Sequence, residues 1–237
     1  MKHFFGYIAV FVVWGSLFFS EVELHAISKI SYCDGFNYMI EGTTTRAPKG
    51  YVNMCHGHGV FCDLAILSQA RLPFNLAKEV SNTERDIPRN ANNQVLLDKL
   101  IWLQLQQVNR IVNSRIYPGT DEQIYGSADY WAVPTEFGDC EDYVLAKKAA
   151  LIALGWPAES LMVGIAQGVE YSFHAVLIVE TSLGDFVLDN QREDIVPWCL
   201  SEYRWVIRQS SNSPGQWVRI VDFPERSLKD QGRVVKR

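Results

Sequence analysis

Residues 137–143 read Phe-Gly-Asp-Cys-Glu-Asp-Tyr, and this stretch decides how the rest of the chain is interpreted because it places a cysteine where a loop becomes a helix. Asp139 suits the N-cap of that helix, and acidic residues are favoured in a first turn. Cys140 would then lie at the helix N-terminus, where the helix dipole stabilises a thiolate. A buried structural cysteine is the alternative, and this stretch alone does not decide between the two.

A histidine and an aspartate follow on two consecutive predicted strands. His174 opens the apolar run 174–181, a turn follows, and the returning run 186–190 carries Asp189. In a hairpin with an even loop, His174 and Asp189 point to the same face of the sheet. A thiol nucleophile needs a base, and the base needs a carboxylate that fixes its tautomer. We therefore predict Cys140 as nucleophile, His174 as base and Asp189 as the residue that orients the base.

Three acids surround the predicted nucleophile. Asp139, Glu141 and Asp142 should raise the pKa of the Cys140 thiol and oppose the helix dipole. A hard divalent cation held by these carboxylate oxygens would offset that charge, and Ca²⁺ is the natural choice outside the cytoplasm. The alternative is that they are ordinary first-turn acids that face water.

The elements around this stretch predict an α+β domain. A stripe of apolar residues at helical spacing predicts a helix of about five turns that ends before Tyr117, and a second helix runs from near Asp139 to Gly155. Five β-rich runs follow, at residues 161–165, 174–181, 186–188, 203–208 and 217–221. The stripe consists of Val95, Leu96, Leu100, Leu103, Val108, Ile111 and Val112.

The N-terminus has the layout of a signal peptide. A basic start precedes the apolar run from Phe4 to Phe19, and a small residue at Ala26 offers a cleavage point. We predict a signal peptide over residues 1–26 and a periplasmic protein; an uncleaved membrane anchor is the alternative.

Residues 27–77 are predicted to form an irregular segment with short strands, which we call the lead-in. In an oxidising compartment, Cys55 and Cys62 are close enough in sequence to form a disulfide. A zinc site around Cys55 and His58 is the alternative, although the spacing fits no familiar zinc pattern. The odd total of five cysteines leaves at least one free thiol, and the states of Cys33 and Cys199 stay open.

Composition and charge limit the class of protein and the kind of partner. The chain has 237 residues, 48% of them hydrophobic, and a net charge of -5. These values exclude a disordered chain and argue against a nucleic-acid partner. The polar stretch 225–237 is predicted to be a flexible tail.

The chain resembles the bacterial transglutaminase-like cysteine peptidases, in particular their alphaproteobacterial branch. The resemblance extends from about residue 92 to residue 217. The matching stretches are Val108-Asn109 with Val112-Asn113, Asp129-Tyr130-Trp131, residues 138–143, Leu154-Gly155, His174-Ala175-Val176-Leu177, Leu188-Asp189-Asn190 and Arg208-Gln209-Ser210.

The resemblance implies a papain-like α+β fold with a catalytic domain over residues 78–224. It implies a catalytic triad of Cys140, His174 and Asp189, with Ca²⁺ bound through Asp139, Glu141 and Asp142. It also implies a protein substrate, which in the adhesin-releasing members is a large surface adhesin, and control by an inner-membrane cyclic-di-GMP receptor. Acyl transfer to an amine, or a non-catalytic binding module on the same fold, are the alternatives.

Overall fold

The computed structural model describes residues 33, 37–56, 62–75, 79–80, 86–168, 172–213 and 215–221. Its helices are α1 (Lys49–Met54), α2 (Cys62–Leu67), α3 (Lys99–Arg115), α4 (Asp121–Tyr125) and α5 (Cys140–Ala153). Its strands are β1 (Glu41–Thr45), β2 (Tyr117–Pro118), β3 (Phe137–Gly138), β4 (Leu161–Gln167), β5 (Phe173–Thr181), β6 (Gly184–Leu188), β7 (Val196–Pro197), β8 (Arg204–Gln209) and β9 (Trp217–Ile220).

Helices α3 and α5 pack against one face of an antiparallel sheet. Within the described residues, seven strands form this sheet in the order β1-β9-β8-β4-β5-β6-β7, while β2 and β3 form a short parallel pair. The main core lies between the helices and the alternate residues Ala175, Leu177 and Val179 of β5. The predicted α+β class is therefore confirmed.

Helix α5 is the most deeply buried helix, and it begins at the predicted position. All its residues from Glu141 to Leu151 are buried, and the chain leaves the helix through Gly155, whose φ of 87° is in the left-handed region. Asp139 is the N-cap residue, as predicted, but its side chain makes no capping hydrogen bond. Its carboxylate lies instead among other acids, described below.

Helix α3 confirms the predicted long helix, but its buried face differs in part from the predicted stripe. Asp98 caps it by accepting hydrogen bonds from the backbone N–H groups of Leu100 and Ile101, so Val95 and Leu96 precede the helix. Leu96 and Leu100 are 40% and 38% exposed, which corrects their assignment to the core. The buried face consists of Ile101, Trp102, Leu105, Val108 and Val112.

The loop of the β5–β6 hairpin has an even number of residues, as the prediction required. Thr181 pairs with Gly184 across a two-residue loop, and Leu177 pairs with Leu188. Because the loop is even and the register is unbroken, residues 174 and 189 lie on the same face.

The lead-in joins the sheet and is held by disulfides. Strand β1 pairs with β9, and Cys55 is bonded to Cys62 as predicted, so Cys55 offers no thiolate for zinc. Cys33 is bonded to Cys199, which the sequence left open.

The predicted signal peptide (residues 1–26) and tail (225–237) lie outside the described residues. Across the part of the chain that the structure describes, the helices are too short or too polar to cross a bilayer.

Candidate active site

The predicted nucleophile and base line one cleft. Cys140 is the free cysteine of the five, and with His174 it borders a cavity of about 420 Å³ between the start of α5 and the start of β5. The backbone N–H of Ala175, next to the histidine, donates to Cys140 Sγ at 3.4 Å. The structure therefore brings Cys140 and His174 together, although 34 positions separate them in the sequence.

Asp189 lies within hydrogen-bond distance of the His174 ring. His174 Nε2 lies 2.8 Å from Asp189 Oδ1, and both side chains are buried. Burial alone would raise the pKa of Asp189, but hydrogen bonds from His174, Tyr203 and the Gln191 N–H hold that pKa below its ordinary value. Asp189 is therefore an ionised partner for the imidazole. Because Nε2 faces Asp189, Nδ1 is the ring nitrogen left for the thiol.

Tyr203 is a member of this arrangement that sequence reasoning missed. Its hydroxyl donates to Asp189 Oδ2 at 2.5 Å, and its ring centroid is 5.5 Å from that of His174. Burial and the Asp189 charge raise the pKa of Tyr203, so the phenol stays a donor. No local pattern marks it, because Tyr203 precedes strand β8 by one residue and reaches Asp189 only through the sheet order.

Two asparagines on one face of α3 hold the loop that carries Asp189. Asn113 Nδ2 donates to the carbonyl oxygens of Asp189 at 2.9 Å and Arg192 at 3.1 Å. Asn109, one turn earlier, donates to the carbonyl oxygens of Arg192 and Glu193. These side chains explain chemically why asparagine occurs twice at helical spacing in α3.

The surroundings of Cys140 raise the pKa of its thiol. Burial is the main cause of its raised pKa, and the negative charges of Glu141 and Asp139 raise it further. The thiol also donates to Glu141 Oε2 at 3.2 Å. The predicted opposition between the acids and the helix dipole is therefore present in the structure.

The acids beside Cys140 form a cluster that differs in part from the predicted set. Carboxylate oxygens of Asp121, Asp139 and Glu141 lie within 4.8 Å of one another. Asp121, at the start of α4, was missed by the sequence analysis. Asp142 is not one of these three: its Oδ1 accepts from the Ala132 N–H at 2.9 Å, and its Oδ2 is buried without a hydrogen-bond partner among the described residues.

Burial and mutual repulsion act on these carboxyls. Burial and the Asp139 charge raise the pKa of Glu141 to about 8, and burial with the charges of Asp139 and Asp121 raises that of Asp142 to about 8. Glu141 is 9% exposed and Asp142 fully buried, so the alternative of acids that face water is wrong for this pair.

The cluster has the chemistry of a hard-cation site. Its donors are all carboxylate oxygens, the ligand type that Ca²⁺ prefers. Asp121 Oδ1 and Asp139 Oδ1 are buried and have no hydrogen-bond partner among the described residues. Buried anionic oxygens without partners are costly, and a bound cation would satisfy them. Asp121, Asp139 and Glu141 could therefore hold Ca²⁺, with Asp142 adjacent.

One protein family and several solved structures are similar to this chain. The profile of the bacterial transglutaminase-like cysteine proteinases (BTLCP) matches residues 78–224. Among solved structures, calcium-bound LapG from Legionella pneumophila is 28% identical, covering 50% of this chain and 68% of LapG with a TM-score of 0.43. EGTA-treated LapG from the same organism is 27% identical, covering 55% and 76% with a TM-score of 0.42. A search of curated proteins found no match. On the family match, which spans more than half of its length, the chain belongs to the bacterial transglutaminase-like cysteine proteinases.

Proposed function

We propose that this chain is a periplasmic, calcium-dependent cysteine endopeptidase in which Cys140, His174 and Asp189 form the catalytic triad. The observation that carries the proposal is the buried His174–Asp189 pair, 2.8 Å apart, beside the free thiol of Cys140 in one cleft. This arrangement supplies a nucleophile, a base and a group that orients the base. Export is inferred from the signal-peptide layout and is consistent with two disulfides.

The proposed reaction begins with transfer of the Cys140 thiol proton to His174 Nδ1. The thiolate attacks the carbonyl carbon of a peptide bond, and backbone N–H groups near Cys140 stabilise the oxyanion. The imidazolium then gives its proton to the leaving amine nitrogen, the C–N bond breaks, and a thioester remains on Cys140. Water, deprotonated by His174, attacks the thioester and releases the acid and the thiol.

Asp121, Asp139 and Glu141 are the proposed ligands of Ca²⁺, a revision of the set expected from the sequence. Bound there, Ca²⁺ would supply positive charge beside the nucleophile and so favour the thiolate. The calcium-bound form of LapG supports calcium as the metal.

A surface-exposed protein such as a large adhesin is the proposed substrate, and an inner-membrane cyclic-di-GMP receptor is the proposed controlling partner. Both are proposals from the family resemblance. They concern the identity of the substrate and of the regulator, and the triad mechanism does not depend on them.

The test compares the purified protein with its Cys140→Ala variant, each incubated with surface proteins of its own cell, with Ca²⁺ or with EGTA. New N-termini identified by mass spectrometry in the wild-type reaction only would support the peptidase. Identical products from both proteins would refute it, and products joined through lysine would favour acyl transfer. Cleavage that continues in EGTA would remove the calcium requirement.

A further inference from the structure

Part of the lead-in lies at the cleft. Pro48 borders the same cavity as Cys140 and His174, although the family match begins only at residue 78. A cavity of about 420 Å³ is large enough for substrate side chains, since ligand clefts commonly measure about 300–1,000 Å³. A residue outside the family match therefore contacts the space that a substrate would occupy.

The position of Pro48 is held by its neighbour Gly50. The Gly50 N–H donates to Asp129 Oδ2 at 2.7 Å, and Asp129 Oδ1 accepts from Trp131 Nε1 at 3.0 Å. A Cβ at residue 50 would overlap the side chains of Asp129 and Trp131, so only glycine allows this approach. Trp131 also lines the cavity, and we call the part of the lining that Pro48 and Trp131 contribute the wall.

A second set of contacts holds the lead-in to the body of the protein. The Tyr51 ring packs edge-on against Trp131 and Trp217, with centroids 5.7 and 5.2 Å apart. Beyond α1, the Cys55–Cys62 disulfide leads into α2, where Asp63 forms a buried ion pair of 2.6 Å with Lys148 of α5. The wall is therefore fastened to the helix that begins at Cys140.

The proposed mechanism indicates whether this wall contacts the substrate residues before the cut or those after it. His174 must protonate the leaving amine, so the residues after the cut lie on the histidine side of the cleft. A second cavity, of about 370 Å³, is bordered by His174, Tyr203 and Arg192 but not by Cys140, and we assign the leaving side to it. The cavity with Pro48 borders Cys140 as well as His174, and we assign the residues before the cut to it.

The residues that line the Pro48 cavity determine which substrate side chains can bind in it. Most of its lining residues are apolar: Pro48, Ala128, Trp131, Ile165, Phe173 and Ala175. Both carboxylate oxygens of Asp129 are engaged by Gly50 and Trp131, and Glu141 belongs to the acid cluster. Among the described lining residues, the surface left for a substrate residue therefore offers apolar contact and no free charged partner.

We infer that Pro48 is a specificity-determining residue, and that the residue immediately before the cut must carry an uncharged side chain limited in size by Pro48. The inference rests on the proposed peptidase function. A smaller side chain at residue 48 should allow larger substrate residues at the position immediately before the cut. An apolar pocket discriminates between side chains by their volume.

The experiment profiles the cleavage of a library of unstructured peptides by the purified protein with Ca²⁺, with cut positions identified by mass spectrometry. The variants are Pro48→Ala, which removes two ring methylenes, and Pro48→Phe, which adds bulk. Val52→Ala is the control, because Val52 lies on α1, the short helix that follows the N-cap residue Pro48, and is 53% exposed. Thermal unfolding checks that each variant is folded.

We expect the wild type to prefer uncharged residues before the cut. Pro48→Ala should shift the preference toward larger residues there by about tenfold, and Pro48→Phe toward smaller ones, with no change after the cut. Val52→Ala should match the wild type. Peptide cleavage with an unchanged profile in both folded Pro48 variants would overturn this inference and leave the peptidase standing. No cleavage by the wild type would overturn both.

Discussion

Removing the hydroxyl of Tyr203 tests the proposed triad, because it changes Asp189 without altering any of the three triad residues. In Tyr203→Phe the ring beside His174 stays, but Asp189 Oδ2 loses a donor at 2.5 Å. Asp189 is 1% exposed, so no solvent replaces that donor freely. A hydrogen bond to a charged group contributes about 1.5–3 kcal/mol, and that free energy is lost from the ionised, aligned carboxylate.

The loss should be visible in kcat. If the reacting state requires ionised, aligned Asp189, then about 1.5–3 kcal/mol corresponds to a fall in kcat of about tenfold to 150-fold. KM should change little, since the substrate cleft is untouched. Without the Tyr203 donor the pKa of Asp189 rises, so activity should also be lost at a higher pH than in the wild type.

The same variant should be less stable, in a pH-dependent way. Asp189 has a folded pKa below its ordinary value of 3.8, so its ionised form contributes stability that is present above that pH and is lost as pH falls through the folded pKa. The difference in free energy of unfolding between wild type and Tyr203→Phe should therefore shrink in acid.

Steady-state kinetics across pH and denaturant unfolding supply these measurements. Tyr38→Phe is the matched control, because the Tyr38 hydroxyl donates to the Thr181 carbonyl at 3.0 Å, at the far end of the same hairpin. It should leave kcat unchanged. A Tyr203→Phe enzyme whose kcat is within twofold of the wild type, with an unshifted acid limb, would refute the reasoning.

Three further predictions concern the cation site, a buried lysine and the lead-in disulfide. Asp121→Asn should weaken Ca²⁺ binding in calorimetry by at least about tenfold, because ligand charge sets affinity, whereas Glu122→Gln, at an exposed neighbour, should not. Burial lowers the pKa of Lys147 from 10.5 to about 7, so its charged form destabilises the fold below pH 7 and this cost disappears as pH approaches 10.5. Lys147→Met should therefore be the more stable protein at neutral pH, by about 1.4 kcal/mol per pKa unit of the shift. Replacing Cys55 and Cys62 with serine should lower the free energy of unfolding by about 2–3 kcal/mol, as expected for a short closed loop.

Each of these has a plain contrary result. Equal calcium affinity in Asp121→Asn and the wild type would exclude Asp121 as a ligand. A stability difference between Lys147→Met and the wild type that is constant from pH 7 to pH 10 would show that the buried amine does not titrate in that range. A serine double variant as stable as the wild type would show that the disulfide adds no constraint on the unfolded chain.

Local patterns were sufficient to predict much of the fold and to propose the three triad candidates. The start of α5 at Cys140 follows from a cap residue and apolar spacing, both of which are encoded within a few positions. His174 and Asp189 lie on the same face of the sheet because side chains alternate along a strand and the loop between the strands has an even number of residues. This result does not depend on contacts elsewhere in the chain. The stripe of α3 was partly wrong because the cap at Asp98 begins the helix after Val95 and Leu96.

Contacts between distant segments depended on the tertiary structure. Asp121 joins Asp139 and Glu141 only because the parallel β2–β3 pair brings α4 beside the start of α5. Tyr203 reaches Asp189 only because β8 lies next to β4 and β4 next to β5.

The sequence by itself determined the elements, the hairpin parity and the identity of the three triad candidates, since these depend on neighbours along the chain. The tertiary structure decided the membership of the acid cluster, the support of Asp189, the Cys33–Cys199 disulfide and the place of Pro48 in the cleft. Each of these features depends on residues that are far apart in the sequence and are brought together by the packing of the sheet and helices. Local propensity and periodicity carry no information about such contacts.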